Sequence, residues 1–397
     1  MRRTLIIIAI VLVLLGGGAV AFFYFYTNKA GVVVAPSTET KLPIAGETAP
    51  TTDETTAPVT PSAPVTVSGR LVKISAGPVV LGEVVMDVKA NASSSAEVAV
   101  SYIERQSGNI YSYLVHAGTL TRISNRTVPG IQSAQWLKDG SLAFVRYLSG
   151  TDFSSVNSYG LPSNGSGGFF LPQNLSGVAV SSTSILMLAS GVNGSVASVA
   201  NTDGTKSSEV FTTPLSSLRA SFAGKNQYLA YTKPSATLPG AAFLVSSTGH
   251  FTRVAGPLYG LTAIASPSGK WLLVSYVNDD RMQMKLVNTT TGESLPLPVA
   301  TIADKCVWTN DDASIYCGVP VNPLSGFNYP DDWYQGAVSF SDRIWKIQVA
   351  GRYAQFVLDF SKETDGSLDA EALAIDPLNS VLVFLNKNDG SLWSYSL

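Results

Sequence analysis

The segment Tyr329-Pro330-Asp331-Asp332-Trp333-Tyr334 sets two carboxylates among three aromatic rings. Such a mixture can stack on a sugar or a peptide while accepting its hydrogen bonds, so Tyr329, Asp331, Asp332, Trp333 and Tyr334 form the candidate binding set. Two catalytic carboxylates would also suit glycan cleavage, but adjacent loop positions give no assurance of the required separation across a glycosidic bond. A structural use competes with both: Pro330-Asp331-Asp332 can cap a single helical turn, with the aromatics packed over a sheet or plugging a channel.

Other reactive residues are sparse. The chain of 397 residues has two cysteines and two histidines. Cys306 and Cys317 flank a turn at Asn310–Ala313, and a hairpin centred between Asp311 and Asp312 places them opposite one another on adjacent strands, within reach of a disulfide. Two buried free thiols are the alternative. His116 and His250 fall in separate turns, and two cysteines without a nearby histidine are a poor zinc set. Asp365, Asp369 and Glu371, and separately Asn386, Asn388 and Asp389, lack the spacing of a calcium loop, and turn chemistry accounts for both groups. No metal and no cofactor is expected. There is no Gly-x-Ser-x-Gly elbow and no phosphate-cradling glycine loop. A net charge of −2 offers no basic field, so no nucleic-acid partner is expected.

The elements that must position these residues recur along the chain. Short apolar runs begin at Val98, Leu142, Ile185, Tyr228, Trp271, Ile315 and Val381, a period of about 43 residues that matches a four-stranded propeller blade. The last step is longer, and residues 320–342, which contain the candidate set, are the added loop. In a propeller this loop lies on the face of the blade-to-blade connections. Trp136, Trp271, Trp308, Trp345 and Trp393 fall on expected strands and read as core. The seventh unit ends at Leu397 on its third strand, and RLVKIS at 70–75 resembles the outermost strands LTRIS (120–124) and FTRVA (251–255). The expectation is an all-β, seven-bladed β-propeller over 69–397, closed by that N-terminal strand so that no edge remains exposed.

Ahead of it, residues 5–26 are uncharged and apolar, and as a helix would span about 33 Å, enough for a bilayer core. Residues 1–29 therefore read as a membrane anchor. Arg2 and Arg3 precede the span, which leaves the N-terminus in the cytoplasm and exports the rest. A signal peptide cleaved at Ala19-Val20-Ala21 competes, although the apolar stretch exceeds the about 7–15 residues of a signal core. Residues 30–68, rich in Thr, Pro and Ala, read as a disordered linker. The chain is expected to sit in the cytoplasmic membrane as a single-pass protein with an extracytoplasmic C-terminal domain.

Ala265-Ser266-Pro267-Ser268-Gly269-Lys270-Trp271-Leu272-Leu273-Val274 and Trp136-Leu137-Lys138-Asp139-Gly140-Ser141-Leu142 resemble the turn-and-strand repeat of WD40-like propellers of the TolB type. The resemblance covers roughly 70–397. The Gly-His and Trp-Asp marks of WD40 repeats and the helical N-terminal domain of TolB are absent, so the resemblance implies the fold and not the role. With its anchor, the chain also resembles membrane-tethered propellers of bacteria, for which no activity is implied. The expected function is a binding or assembly platform for an envelope protein or polysaccharide on the loop face; the alternative is an extracytoplasmic carbohydrate-active enzyme using loop carboxylates.

Overall fold

The computed structural model describes residues 65–66, 69–88, 97–124, 126, 128 and 130–397. The anchor expected over 5–26 and most of the linker expected over 30–68 lie outside the described residues. Among those described, no helix is long and apolar enough to cross a membrane.

The structure is all-β and is built from antiparallel meanders in chain order. The first comprises Val84–Val88, Glu97–Ile103, Ile110–Leu114 and Thr119–Arg122; the next two begin at Ile131–Trp136 and Leu175–Val180. A seven-stranded sheet follows because Phe251–Ala265 is a single long strand serving two meanders. Its first part pairs with Gly240–Ser246 and its second with Trp271–Asn278. The outermost strand expected at 251–255 is thus continuous with the first strand of the next meander. Too few residues lie between them for a loop, so the chain passes from one meander to the next through irregular register at Gly256 to Leu261. Cys306–Trp308, Ser314–Pro320, Asp342–Gln348 and Tyr353–Asp359 form the next sheet.

The last sheet draws on both ends of the chain. Ala370–Ile375, Val381–Asn386 and Leu392–Ser396 are followed in it by Leu71–Lys73, with Leu71 opposite Tyr395 and Lys73 opposite Trp393. Beyond that lies a fifth strand, Val65–Thr66, within the segment expected to be linker. Two β-branched residues beside an open strand edge extend the pairing by two positions.

Turn chemistry explains the local geometry. Asp279 and Asp280 both adopt left-handed backbone angles between the paired residues Asn278 and Arg281, as a two-residue hairpin requires and as Asp tolerates. The Ser-Pro-Ser-Gly turn is tied to the hairpin of the following sheet. Ser266 Oγ donates to Asp312 Oδ2 at 2.8 Å, and Ser268 Oγ contacts the same oxygen. Gly269 has a φ of +78° and sits against the Ala223 carbonyl, where a side chain would have no room.

The core lies between the sheets. All residues of Ser314–Pro320 and Val381–Asn386 are buried, because sheets cover both faces of these second strands. Ile103 and Ile110 pack on Ala143 and Val145, Leu272 and Val274 on Leu229 and Ala242, and the last sheet packs on the first through Val381 and Val383 against Val98 and Val100. Trp136, Trp308 and Trp393 are buried, and Trp271 and Trp345 half-buried, all on strands. Cys306 and Cys317 stand directly opposite, their Cα atoms 4.1 Å apart, and are joined by a disulfide. Closing so short a loop contributes about 3 kcal/mol.

Candidate functional site

The first strands of successive sheets neighbour one another around a central channel. At the end where these strands begin, here called the upper end, the channel opens into a funnel of about 750 Å³, within the range of ligand pockets. A second opening of about 1180 Å³, lined by the turns that leave the first strands, faces the other way.

Charged residues cluster at the upper end because each stands at or near the start of a first strand. Arg219 is second in Leu218–Phe222, Asp304 lies in the short 3-10 turn Ala303–Lys305 leading into Cys306–Trp308, and Glu371 is second in Ala370–Ile375, whereas Glu83, just before Val84–Val88, lines the channel on the side of the second opening. Arg219 Nη1 donates to Asp304 Oδ2 at 2.6 Å and to the Tyr334 hydroxyl at 3.1 Å; that hydroxyl donates to the same Asp304 oxygen at 2.6 Å. The guanidinium also lies 4.7 Å from the centre of the Tyr334 ring. Burial opposes the Arg219 charge, but Tyr231, Asp304 and Tyr334 outweigh it and hold its pKa up. Tyr334 is held well above the usual phenol range by burial and by Asp304.

Glu83 occupies the opposite electrostatic situation. Both its carboxylate oxygens are sealed from solvent and have no hydrogen-bond partner on any other residue. Burial pushes its pKa up to about 8, its own backbone amide opposing the rise and Glu371 adding to it. Glu371 is itself raised, chiefly by burial, with Lys387 and Lys305 opposing. Two carboxyl groups that resist ionisation thus face the channel beside the Arg219–Asp304 pair, Asp304 itself adding to the rise at Glu371.

The insertion supplies the aromatic wall. Asp331–Tyr334 forms one helical turn after Pro330, and Tyr329, Trp333, Val338 and Phe340 form a small core with Met282 and Ile302. The helical turn and the packed aromatics are those of the structural alternative, but no side chain caps the turn. Asp331 Oδ2 accepts from the Ala236 amide at 2.9 Å, and Asp332 Oδ2 from the Asn328 amide at 2.7 Å. Tyr329 is buried and donates to the Leu324 carbonyl at 2.8 Å. Trp333 is buried with one edge on the funnel, and Tyr334 lines it. The structure therefore brings Trp333 and Tyr334 together at the funnel, while Asp331 fastens the insertion to the loop at Ala236 and Asp332 holds the insertion's own backbone at Asn328.

Beneath Trp333 lies a buried charge cluster. Lys305 Nζ contacts Asp369 Oδ1 and lies 2.8 Å from Asp342 Oδ2, all three side chains being inaccessible to solvent. The nitrogen is 5.0 Å from the Trp333 ring centre, and Lys387 Nζ is 4.9 Å from the same ring.

Sequence reasoning missed Glu83, Arg219, Asp304, Lys305 and Lys387. It also assigned Asp369 and Glu371 to turn chemistry. That assignment is corrected: Asp369 is fully buried in an ion pair, and Glu371 stands on a strand facing the channel. Asp365 remains an exposed bend residue, and Asn386 and Asp389 do hold a turn, Asn386 Nδ2 donating to Asp389 Oδ1 at 2.8 Å. The available signal was positional: a charged residue recurs near the start of several first strands.

No protein-family model matches the chain, and no curated protein matches it in sequence. Among solved structures it is similar to an oligogalacturonate lyase from Vibrio parahaemolyticus, with a TM-score of 0.53 and 10% identity over 76% of this chain and 86% of that one. More distant are the β-propeller domain of the Trilobed protease from Pyrococcus furiosus (TM-score 0.49, 8% identity, 78% and 93% covered) and TolB from Acinetobacter baumannii (0.44, 10%, 79% and 80%). Meanders of mostly four strands, set around a channel, make the architecture plain. The fold is a β-propeller. At these identities the likeness concerns the fold alone.

Proposed function

We propose that this chain is a single-pass protein of the cytoplasmic membrane, held through residues 5–26, whose seven-bladed propeller stands outside the cytoplasm and binds an envelope protein or polymer. The ring is closed by Leu71–Lys73. The observation that carries the binding reading is the upper funnel, where Arg219, Lys387, Glu371, Trp333 and Tyr334 converge on a space open to solvent. Paired charges of both signs beside aromatic faces suit a polar chain better than a lipid or a nucleic acid. The Cys306–Cys317 disulfide supports an oxidising compartment.

The test places a photo-crosslinking residue at Gln132 on the funnel rim, at Asn388 beside it, or at Ser182 at the lower mouth, in cells of the native host. One envelope component should be captured from 132 and 388 but not from 182, and the yield should fall at least tenfold with Lys387→Glu. Equal capture from both mouths, or none from the rim, would remove the funnel as the binding site. A C-terminal reporter active in the cytoplasm would remove the topology.

A second reading, a carbohydrate-active enzyme, is favoured by one observation: Glu371 lines the funnel, and burial raises its carboxyl as a general acid requires. Under it, glycan cleavage should be measurable and Glu371→Gln should abolish it; no product from acidic or neutral polysaccharides would retire the reading.

A further inference from the structure

We propose that Lys305 and Asp369 condense to an intramolecular amide, Nζ to Cγ, which covalently joins two neighbouring sheets of the propeller. Lys305 ends the turn leading into Cys306–Trp308, and Asp369 immediately precedes Ala370–Ile375. The bond would link the first strands of consecutive sheets beneath the insertion.

The reacting groups are already in contact. Lys305 Nζ touches Asp369 Oδ1, and neither side chain reaches solvent, so the translational and orientational cost of bringing amine to carboxyl is met by folding. The other oxygen, Asp369 Oδ2, accepts two hydrogen bonds at 2.9 Å, one from Trp333 Nε1 and one from the Phe340 amide. These donors lie where negative charge develops when the amine adds to Cγ, and so serve the tetrahedral intermediate as an oxyanion hole.

Asp342 completes the set. Its Oδ2 accepts from Lys305 Nζ at 2.8 Å and from the Ala370 amide at 2.7 Å, while its Oδ1 is buried without a partner. Burial raises this carboxyl to about 6, with Lys305 opposing and Asp369 adding to the rise, so it can take up and release a proton near neutrality. Asp342 accepts a proton from the attacking ammonium group and returns it to the departing oxygen.

The step balances without any co-reactant. An ammonium and a carboxylate yield one amide and one water: Nζ–Cγ forms, Cγ–Oδ1 breaks, and the two protons lost by Nζ leave with Oδ1. Trp333 and Phe340, whose ring centres lie 5.0 and 5.2 Å from Nζ, exclude the water that would reverse it. The product also removes a buried cation and a buried anion, each costly in a dry interior.

Peptide mapping of the full chain purified from its own membranes tests the assignment. Trypsin should fail to cut after Lys305, and residues 286–343 and 363–387 should appear as one species lighter by one water than the two peptides together. In Asp342→Asn the crosslinked species should be lost, with the two segments recovered separately and cleavage at Lys305 restored. Recovery of unmodified 286–305 and 363–387 from the wild-type protein would overturn the proposal and leave a buried ion-pair cluster. A crosslink formed in full by Asp342→Asn would overturn the role of Asp342.

Discussion

Deletion of residues 65–75 should convert the propeller from a monodisperse species into an aggregating one. Leu71 and Ile74 are completely buried. Leu71 packs with Tyr316, Ile344, Phe384 and Tyr395, and Ile74 with Val98, Val100 and Val383, so this short segment contributes to the hydrophobic contacts on both sides of the last sheet. It also satisfies backbone groups of the chain's final strand: Arg70 Nε donates to the Ser396 carbonyl at 2.8 Å, and the Leu392 amide donates to Ser75 Oγ at 2.8 Å. Without it, Leu392–Ser396 becomes an open edge whose unpaired groups can template another chain. Emptying either apolar site costs about 2–5 kcal/mol, against a total stability of about 5–15 kcal/mol. Size-exclusion chromatography checks the deletion, and thermal melting of Leu71→Ala provides a variant mild enough to fold. A deletion protein that elutes and melts like its parent would show that the pairing of Leu71–Lys73 with Leu392–Ser396 contributes nothing.

Stability should fall as the medium turns alkaline, and Glu83 should account for most of the fall. Unfolded, this carboxyl loses its proton near pH 4.5; folded, it keeps it to about 8. Between those values the folded state binds more protons than the unfolded one, so the free energy of unfolding decreases with rising pH. Asp342 is raised in the same direction but only to about 6. Above that, between pH 6 and pH 8.5, Glu83 alone should cost about 2–3 kcal/mol. Glu83→Gln keeps the shape of the side chain without a charge to bury. Its denaturation midpoint should decline markedly less across that window than that of the wild type. Parallel profiles for the two proteins would mean that Glu83 is hydrated or paired in solution.

Much of the architecture was legible because it is written in local spacing. A hairpin centre between Asp311 and Asp312 was enough to place Cys306 opposite Cys317. The likeness of RLVKIS to the outer strands pointed to its pairing with the last strand, and Pro330-Asp331-Asp332 announced a helical turn. Each of these depends on strand alternation or turn geometry, which act over a few residues. The extra pairing of Val65–Thr66 and the single strand Phe251–Ala265 escaped, because both depend on what lies beside them.

The funnel and the buried cluster were decided by the tertiary structure alone. Arg219 stands 85 residues from Asp304 and 115 from Tyr334, and Lys305 stands 64 from Asp369. In the sequence each is an ordinary charge beside a short strand, and Asp369 and Glu371 read as turn residues. What joins them is the ring. The first strand of every sheet faces the same axis, so residues near strand starts meet there however far apart they are in the chain. Over Lys305, Asp342 and Asp369, burial beneath the insertion then removes the water that would otherwise make the charges independent, and local spacing carries no record of that burial.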